Sequence, residues 1–183
     1  MGVSLLANMD PNDLFEKLGL HIGMHVADFG SGKTGNFVFP AAKIVGSTGS
    51  VYAIDIIKEA LLGLTKRAAL DQFTNIHTVW ADLERPNAVA IPPRTLHAVF
   101  LINFLSAVKQ RDTVLDEAHR LLKPGGSILI VDWKNRLLSF APPGEDIVHV
   151  ESMKQWANTN GYTTQKEFEA DKYHWGLILT KQV

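Results

Sequence analysis

The chain has 183 residues, no cysteine and a formal charge of −1 at pH 7. The length suits a single domain over residues 1–183, and the lack of cysteine excludes disulfides, thiolate nucleophiles and cysteine-based zinc sites. The near-neutral charge does not favour a nucleic-acid partner, and because no secretion signal or long apolar run is present, we expect a cytoplasmic protein without membrane insertion.

Residues 1–20 are predicted to form an N-terminal helical extension. Asp10 is a good helix cap, Pro11 suits the first helical turn, and Gly19 is a typical helix end. The apolar residues between them recur at helical spacing, so this helix should pack on the domain that follows.

A regular alternation of elements follows from His25 onward. Short apolar runs of strand length alternate with helix-period stretches at about 36–45, 57–73 and 111–121; the runs are HVADF, SVYAID, IHTVW, HAVFLI and SILIVD. Pro124 is expected to end the last of these helices before the fifth strand begins. Such βαβ units predict a parallel sheet covered by helices on both faces.

The rhythm changes after Asp132. A Pro- and Gly-rich loop within 135–150 is expected to lie on the substrate side, and a helix at 151–160 precedes two strand-like runs at 163–168 and 173–180. Two consecutive strands without a helix predict an antiparallel hairpin. The fold class is therefore α/β, a doubly wound, mostly parallel, Rossmann-like sheet with a C-terminal antiparallel hairpin.

A glycine-rich segment, GSGKTG at residues 30–35, follows the first strand and precedes a helix. Three ligands suit such a loop. A dinucleotide is one, because the segment spells GxGxxG and Asp55 ends the next strand 20 residues beyond Gly35. A nucleoside triphosphate, with Lys33 on phosphate, is not favoured because Ala27 stands where the phosphate-binding loop needs glycine.

The third ligand is S-adenosylmethionine, and here the chain resembles class I methyltransferases. The resemblance rests on five stretches in order, covering about 20–135: LHIGMHVADFGSG at 20–32, VYAID at 51–55, WADL at 80–83, AVFLIN at 98–103 and LLKPGGSILIVD at 121–132. The run DEAHRLLKPGG at 116–126 is similar to the branch that includes quinone-biosynthesis methyltransferases. The resemblance to class I methyltransferases implies a seven-stranded sheet and S-adenosylmethionine as cofactor. One departure is Thr34, which stands where the family usually has a third glycine.

The resemblance also implies where the cofactor is held. The predicted cofactor-binding residues are the following: Asp28, Gly30, Ser31, Gly32, Asp55, Ile56, Asp82, Leu83 and Asn103. Asp28 would help to hold the amino group of the cofactor, Asp55 both ribose hydroxyls, and Asp82 the adenine amine. In a doubly wound sheet these positions should converge at the carboxyl ends of the strands, although a strand-end Asp also serves ordinary turns.

A small-molecule acceptor is expected, with alignment of the two substrates as the main source of catalysis. His174 and Lys134 are the candidate catalytic residues, since both lie near the expected site; a packed histidine and a surface lysine are the simpler interpretations. Trp133, Trp156 and Trp175 could line an acceptor pocket or simply be buried. The histidine spacing predicts no metal site.

Two alternatives stay open. Residues 46–55, with Lys134 and His174, also resemble fibrillarin-like RNA methyltransferases, which leaves an RNA or protein acceptor as the first alternative. A cofactor-binding module without catalysis is the second. The sequence does not indicate an oligomeric state.

Overall fold

The computed structural model describes residues 9–134 and 146–183. Their central feature is one sheet of seven strands: β1 (His25–Phe29), β2 (Ser50–Asp55), β3 (Ile76–Trp80), β4 (Leu96–Ile102), β5 (Leu122–Trp133), β6 (Tyr162–Glu169) and β7 (His174–Lys181). Within these ranges five α-helices accompany it: α1 (Pro11–Leu18), α2 (Val38–Val45), α3 (Lys58–Leu70), α4 (Arg111–Leu121) and α5 (Val150–Thr159).

The strand order is β3-β2-β1-β4-β5-β7-β6, with β1 to β5 parallel and both β7 pairings antiparallel. The order reverses between β1 and β4, which is where open sheets of this type bind their ligands. The predicted doubly wound sheet and its C-terminal antiparallel hairpin are therefore confirmed.

Two apolar layers cover the sheet because successive strand residues point to opposite faces. Ala27 and Phe29 of β1 belong to the layer under α4 and α5. Val26, which precedes Ala27 and points to the opposite face, belongs to the layer that contains α1, α2 and α3. Asp28 has the same parity as Val26, which places a carboxyl group on the α1–α3 face of an otherwise apolar strand.

The ends of α1 lie where the sequence predicts them. The Asp10 carboxylate accepts a hydrogen bond from the Asn12 amide at 2.9 Å, Pro11 opens the helix, and Gly19 closes it in the left-handed conformation at φ 75°. Leu14, Phe15 and Leu18 are buried against the sheet. The apolar stripe anticipated from the sequence thus anchors the described part of the N-terminal extension.

Helices α2, α3 and α5 differ at their ends from the sequence-based expectation, α5 by one residue at each end. Helix α2 begins at Val38 rather than Asn36, and α3 is shorter than 57–73 by one residue at its start and three at its end. Helix α4 spans Arg111–Leu121, as expected, and Pro124 has no amide hydrogen with which to continue it. Its last two carbonyls accept hydrogen bonds from the amides of Arg94 and Thr95.

Candidate cofactor site

The glycine-rich loop leaves β1 through a sharp turn at the point where the strand order reverses. The amides of Gly30 and Ser31 both donate to the carbonyl of Ile54, at 2.8 and 3.1 Å. Gly30 has φ 76°, and a Cβ there would lie 2.4 Å from the Phe104 ring. Only glycine fits this turn, because the backbone conformation and the neighbouring ring both exclude a side chain.

The position of the third glycine is accounted for by packing behind the loop. Gly35 has φ 61°, and a Cβ on it would come within 2.6 Å of Leu64 and 2.9 Å of Phe39. Thr34 is exposed, and its carbonyl accepts a hydrogen bond from Arg67 at 3.0 Å. The loop is therefore shifted by one residue, with Gly35 supplying the close approach to α2 and α3.

The same geometry removes the basis for a triphosphate cradle. Lys33 and Thr34 are exposed, and α2 begins only at Val38. A phosphate-binding loop needs its lysine and threonine at the start of the helix, where the free amides point at the phosphates. The three residues between Thr34 and the start of the helix at Val38 prevent that arrangement.

Asp55 joins the glycine-rich loop to the end of β2. Its Oδ2 accepts a hydrogen bond from the Gly32 amide at 2.8 Å, and its Oδ1 accepts one from the Ile57 amide at 2.9 Å. The side chain is mostly buried. Each carboxylate oxygen keeps a second lone pair, so Asp55 can still accept hydrogen bonds from a ligand while it fixes the loop.

Asp28 lies deeper, almost fully buried in β1. Burial raises the pKa of its carboxyl group to about 7, and the negative charge of Asp55 raises it further in the same direction. No donor in the described part of the chain forms a hydrogen bond with this carboxyl group that would offset the cost of burying its charge. The group is therefore poised to ionise when a cation comes close.

A cavity of about 230 Å³ opens beside these groups at the carboxyl edge of the sheet. Its lining combines three carboxylates with apolar side chains and comprises Gly30, Asp55, Ile56, Ala81, Asp82, Leu83, Glu84, Phe104, Ala107 and Val108. Asp82 accepts hydrogen bonds from the Glu84 amide at 3.1 Å and from Arg85 Nε at 3.0 Å. The cavity has an acidic rim and an apolar floor.

The structure thus brings five of the nine predicted cofactor residues to one cavity: Gly30, Asp55, Ile56, Asp82 and Leu83. Ser31 and Gly32 lie on the loop beside it, and Asp28 lies below. Asn103 follows β4 at φ 53°, and its amide donates to the Val131 carbonyl at 2.8 Å. Its buried Oδ1 has no hydrogen-bond partner within the described ranges.

Sequence reasoning missed Phe104, which covers Gly30 and lines the cavity. It also missed Glu84, whose Oε1 accepts hydrogen bonds from the amides of Lys109 and Gln110 at 2.6 and 2.7 Å. Both residues directly follow predicted site residues, at 103 and 82–83. That adjacency is the only sequence signal that could have indicated them.

The two candidate catalytic residues, Lys134 and His174, do not line this cavity. They lie where the end of β5 pairs with the start of β7. Lys134 Nζ donates to the Asp171 carbonyl at 3.0 Å and pairs with Glu169 at 3.1 Å. These contacts fasten the β6–β7 turn, as expected for a structural lysine. Residues 135–145 of the predicted substrate-side loop lie outside the described residues.

His174 is fully buried and forms a dyad with Asp171. Its Nδ1 lies 2.8 Å from Asp171 Oδ1, which also accepts hydrogen bonds from the amides of Tyr173 and His174. Burial raises the pKa of Asp171, but these hydrogen bonds and the nearby imidazole outweigh burial and leave that pKa below its usual value. An ionised Asp171 holds the ring proton on Nδ1, so Nε2 is left as an acceptor.

That Nε2 atom is buried and has no hydrogen-bond partner among the described residues. The Trp133 ring lies beside it, with centroids 4.3 Å apart. Trp175 is a packing residue whose Nε1 donates to the carbonyls of Trp133 and Val148, both at 3.1 Å. Trp156 packs against Tyr162, with ring centroids 5.2 Å apart.

No helix of the described ranges combines the length and the apolar character that a membrane span requires. Residues 9–134 and 146–183 also contain no group of three or more His, Asp or Glu that could hold a metal ion.

Comparison with known proteins identifies relatives of the whole fold. A family model described as a methyltransferase domain matches residues 20–180. The ubiquinone/menaquinone biosynthesis C-methyltransferase UbiE of Pasteurella multocida is 31% identical over 121 residues, which is 66% of this chain and 44% of that protein. The chain therefore spans less than half the length of this curated relative.

Solved structures share the fold at lower identity. A SAM-dependent methyltransferase from Aquifex aeolicus has a TM-score of 0.86 and 24% identity, covering 98% of this chain and 93% of its own. The [4+2]-cyclase SpnF has a TM-score of 0.79 and 14% identity, covering 94% and 80%. These likenesses concern the fold, because one architecture can host different chemistries.

Proposed function

The chain belongs to the class I S-adenosylmethionine-dependent methyltransferases, and on that premise we propose that it transfers the methyl group of S-adenosylmethionine to a small-molecule acceptor. The observation that carries the proposal is the cavity at the carboxyl edge of β1, β2 and β4, where Asp55 and the Gly30 turn meet. The bound cofactor supplies an activated methyl group, so the protein contributes mainly alignment.

The residues around the cavity fit the parts of such a cofactor. Asp55 has free lone pairs for two ribose hydroxyls, while Ile56, Leu83 and Val108 offer apolar contact to a purine. Asp82 offers carboxylate oxygens to the adenine amine. Gly30 and Gly32 allow the backbone to approach the ligand closely, and the unpartnered Oδ1 of Asn103 is an acceptor at the end of β4.

Asp28 supplies the charge that an α-amino group requires. A buried carboxyl with a pKa of about 7 is largely neutral in mildly acid solution and ionises readily beside a cation. We assign the amino end of the cofactor to this group. Ser31, whose buried Oγ has no partner in the described part of the chain, is a second contact at that end.

A small acceptor is supported by the charge around the cavity. Asp55, Asp82 and Glu84 line it, its lining within the described ranges contains no Lys or Arg, and the Arg85 that pairs with Asp82 offsets one of these three charges. An acidic rim repels the phosphates of a nucleic acid, which makes the RNA alternative less favourable. The similarity to the P. multocida C-methyltransferase also supports a small organic acceptor.

The proposal is tested first by calorimetric titration with S-adenosylmethionine and S-adenosylhomocysteine. We expect both to bind with dissociation constants below about 100 µM, in a single site, since the preformed cavity needs little rearrangement. ATP with Mg²⁺ is the control ligand and should not bind. The absence of heat and of any thermal stabilisation with either nucleoside at 1 mM would overturn the assignment, as would tight binding of ATP.

We further propose that His174 accepts the proton released by the methyl acceptor, with Asp171 holding the ring in the required tautomer. This role resembles that of the buried acid behind a catalytic histidine, which orients the ring and stabilises its cation. Lys134 then acts as a positioning residue, because its Nζ holds the backbone carbonyl of Asp171.

Replacing His174 by Gln tests this role once an acceptor has been found. We expect kcat to fall by about 100-fold, within the usual range for loss of a general base, while KM for S-adenosylmethionine stays within about threefold. The pH dependence of kcat should also flatten on its acid limb. Asp171→Asn should reproduce the loss, since an amide no longer fixes the Nδ1 proton. Unchanged kcat with an unchanged pH profile in both variants would leave only a packing role.

A further inference from the structure

A cluster of basic groups lies at the amino-terminal edge of the sheet, far from the cofactor cavity. His25 opens β1, His97 is the second residue of β4, and Lys123 is the second residue of β5. His97 and Lys123 line a cavity of about 130 Å³ together with Gly125 and Gly126. The proposed methyl transfer uses none of these residues, and β4 separates them from Asn103 by roughly 20 Å of strand.

The hydrogen bonds of His97 fix its tautomer. The His25 amide donates to His97 Nδ1 at 2.9 Å, so Nδ1 cannot carry a hydrogen. A neutral imidazole has one ring hydrogen, which must therefore lie on Nε2. Lys123 Nζ lies 3.0 Å from that Nε2, and an ammonium group has no lone pair to accept with. His97 Nε2 and Lys123 Nζ are thus two neighbouring donors with no acceptor between them among the residues that the structure describes.

The surroundings add positive charge and no negative charge. The pKa of His97 is lowered, first by burial and then by the positive charges of Lys123, His25 and His21. No carboxylate within the described ranges forms an ion pair with Lys123 or contributes to the shift of His97. The cluster therefore lacks the counter-charge that a group of converging donors ordinarily has.

The cavity offers room for that missing partner. Gly125 adopts φ 77°, and an added Cβ would meet nothing within 4 Å, so the first residues of β5 leave open space beside Lys123. Leu18 and Met24 form an apolar wall that faces the two donors. The space accepts one small anionic group, with its oxygens towards the nitrogens and any carbon chain towards the wall.

We propose that this pocket is a second binding site, specific for a single oxyanion group such as a phosphate or a carboxylate. The oxyanion accepts from Lys123 Nζ and His97 Nε2 at once, which relieves the repulsion between the two donors and forms charge-assisted hydrogen bonds. The site is independent of the cofactor cavity, so its failure would leave the proposed methyl transfer untouched.

The test follows the imidazole nitrogens of His97 by NMR during titration with sodium phosphate at pH 7.5. Sodium chloride at equal ionic strength separates binding from screening, and sodium butyrate in a parallel titration distinguishes a carboxylate from a phosphate ligand. We expect one of the two oxyanions to shift Nε2 saturably, with a dissociation constant of about 1–10 mM, and to raise the Tm by mass action.

Lys123→Gln should weaken this binding by at least tenfold. Lys66→Gln removes one charge from the exposed face of α3 and is the matched control, expected to bind within twofold of the parent. Both variants should bind S-adenosylmethionine as the parent does. Shifts no larger than those with chloride up to about 50 mM, or an equal loss in the two lysine variants, would overturn the oxyanion site.

Discussion

Replacing Asp28 by Asn is expected to raise the free energy of unfolding relative to the parent chain, and this gain should be about 4 kcal/mol larger at pH 8 than at pH 4. The figure follows from a folded-state pKa of about 7 against an ordinary value of 3.8, at about 1.4 kcal/mol per pKa unit.

The direction of the effect follows from proton uptake. Below pH 4 both states of the parent carry a neutral Asp28, so the residue contributes no pH dependence. Between pH 4 and 7 the unfolded chain has lost this proton while the folded chain keeps it, so the free energy of unfolding falls as pH rises. Above pH 7 the folded protein bears the full cost of a buried charge, which Asn does not have.

Urea denaturation of both proteins at pH steps from 4 to 8 measures the difference directly. Asp112→Asn, at an exposed position in the first turn of α4, is the control for loss of one carboxylate. Saturating S-adenosylmethionine should stabilise the parent more than Asp28→Asn at pH 8, because its ammonium group compensates the buried carboxylate. Parallel curves for Asp28→Asn and the parent over this pH range would contradict the raised pKa.

The mostly parallel sheet and its antiparallel C-terminal hairpin could be predicted from the sequence because the strand-length and helix-length patterns agree along the chain. Apolar runs of strand length alternate with helix-period stretches, and the final helix-free pair forms the antiparallel hairpin of β6 and β7. Local caps were equally predictable where one side chain decides the structure, as Asp10 does for α1. In each case the signal is contained within a few residues.

Boundaries set by distant contacts could not be predicted. The start of α2 depends on the positive φ of Gly35, which packs against Leu64 of the next helix. The end of α4, by contrast, lies at the predicted Leu121. Leu64 is far from α2 in sequence, so the residue types next to α2 carry no information about this contact.

The candidate site likewise combines residues that could be predicted from the sequence with features that could not. Gly30 and Asp55 were identifiable, since a glycine turn and a strand-end acid have recurrent roles at the edge of such sheets. The raised pKa of Asp28 and the Phe104 ring over Gly30 required coordinates. Burial and ring placement depend on the packing of separate strands, which the one-dimensional pattern does not report.

Asp55→Asn is expected to weaken binding of S-adenosylmethionine by at least 100-fold. In the parent, the two carboxylate oxygens accept from the amides of Gly32 and Ile57 and still offer lone pairs to the ribose. An Asn side chain keeps one such oxygen and turns an NH₂ group, itself a donor, towards the other amide and hydroxyl. The variant loses hydrogen bonds to a charged acceptor, each worth about 1.5–3 kcal/mol.

Calorimetric titration at pH 8 measures the loss, with Asp82→Asn as the matched control. Asp82 has a side chain that is 29% exposed, so water can replace part of what its carboxylate offers, and we expect at most a tenfold weakening.

A second readout distinguishes lost contacts from a general collapse of the loop. Because the charge of Asp55 raises the pKa of Asp28, the carboxyl group of Asp28 should titrate at lower pH in Asp55→Asn when followed by ¹³C NMR. If Asp55→Asn binds the cofactor within threefold of the parent, the ribose contact lies elsewhere; if it binds weakly but leaves the Asp28 titration unmoved, the two carboxylates do not interact across the strands.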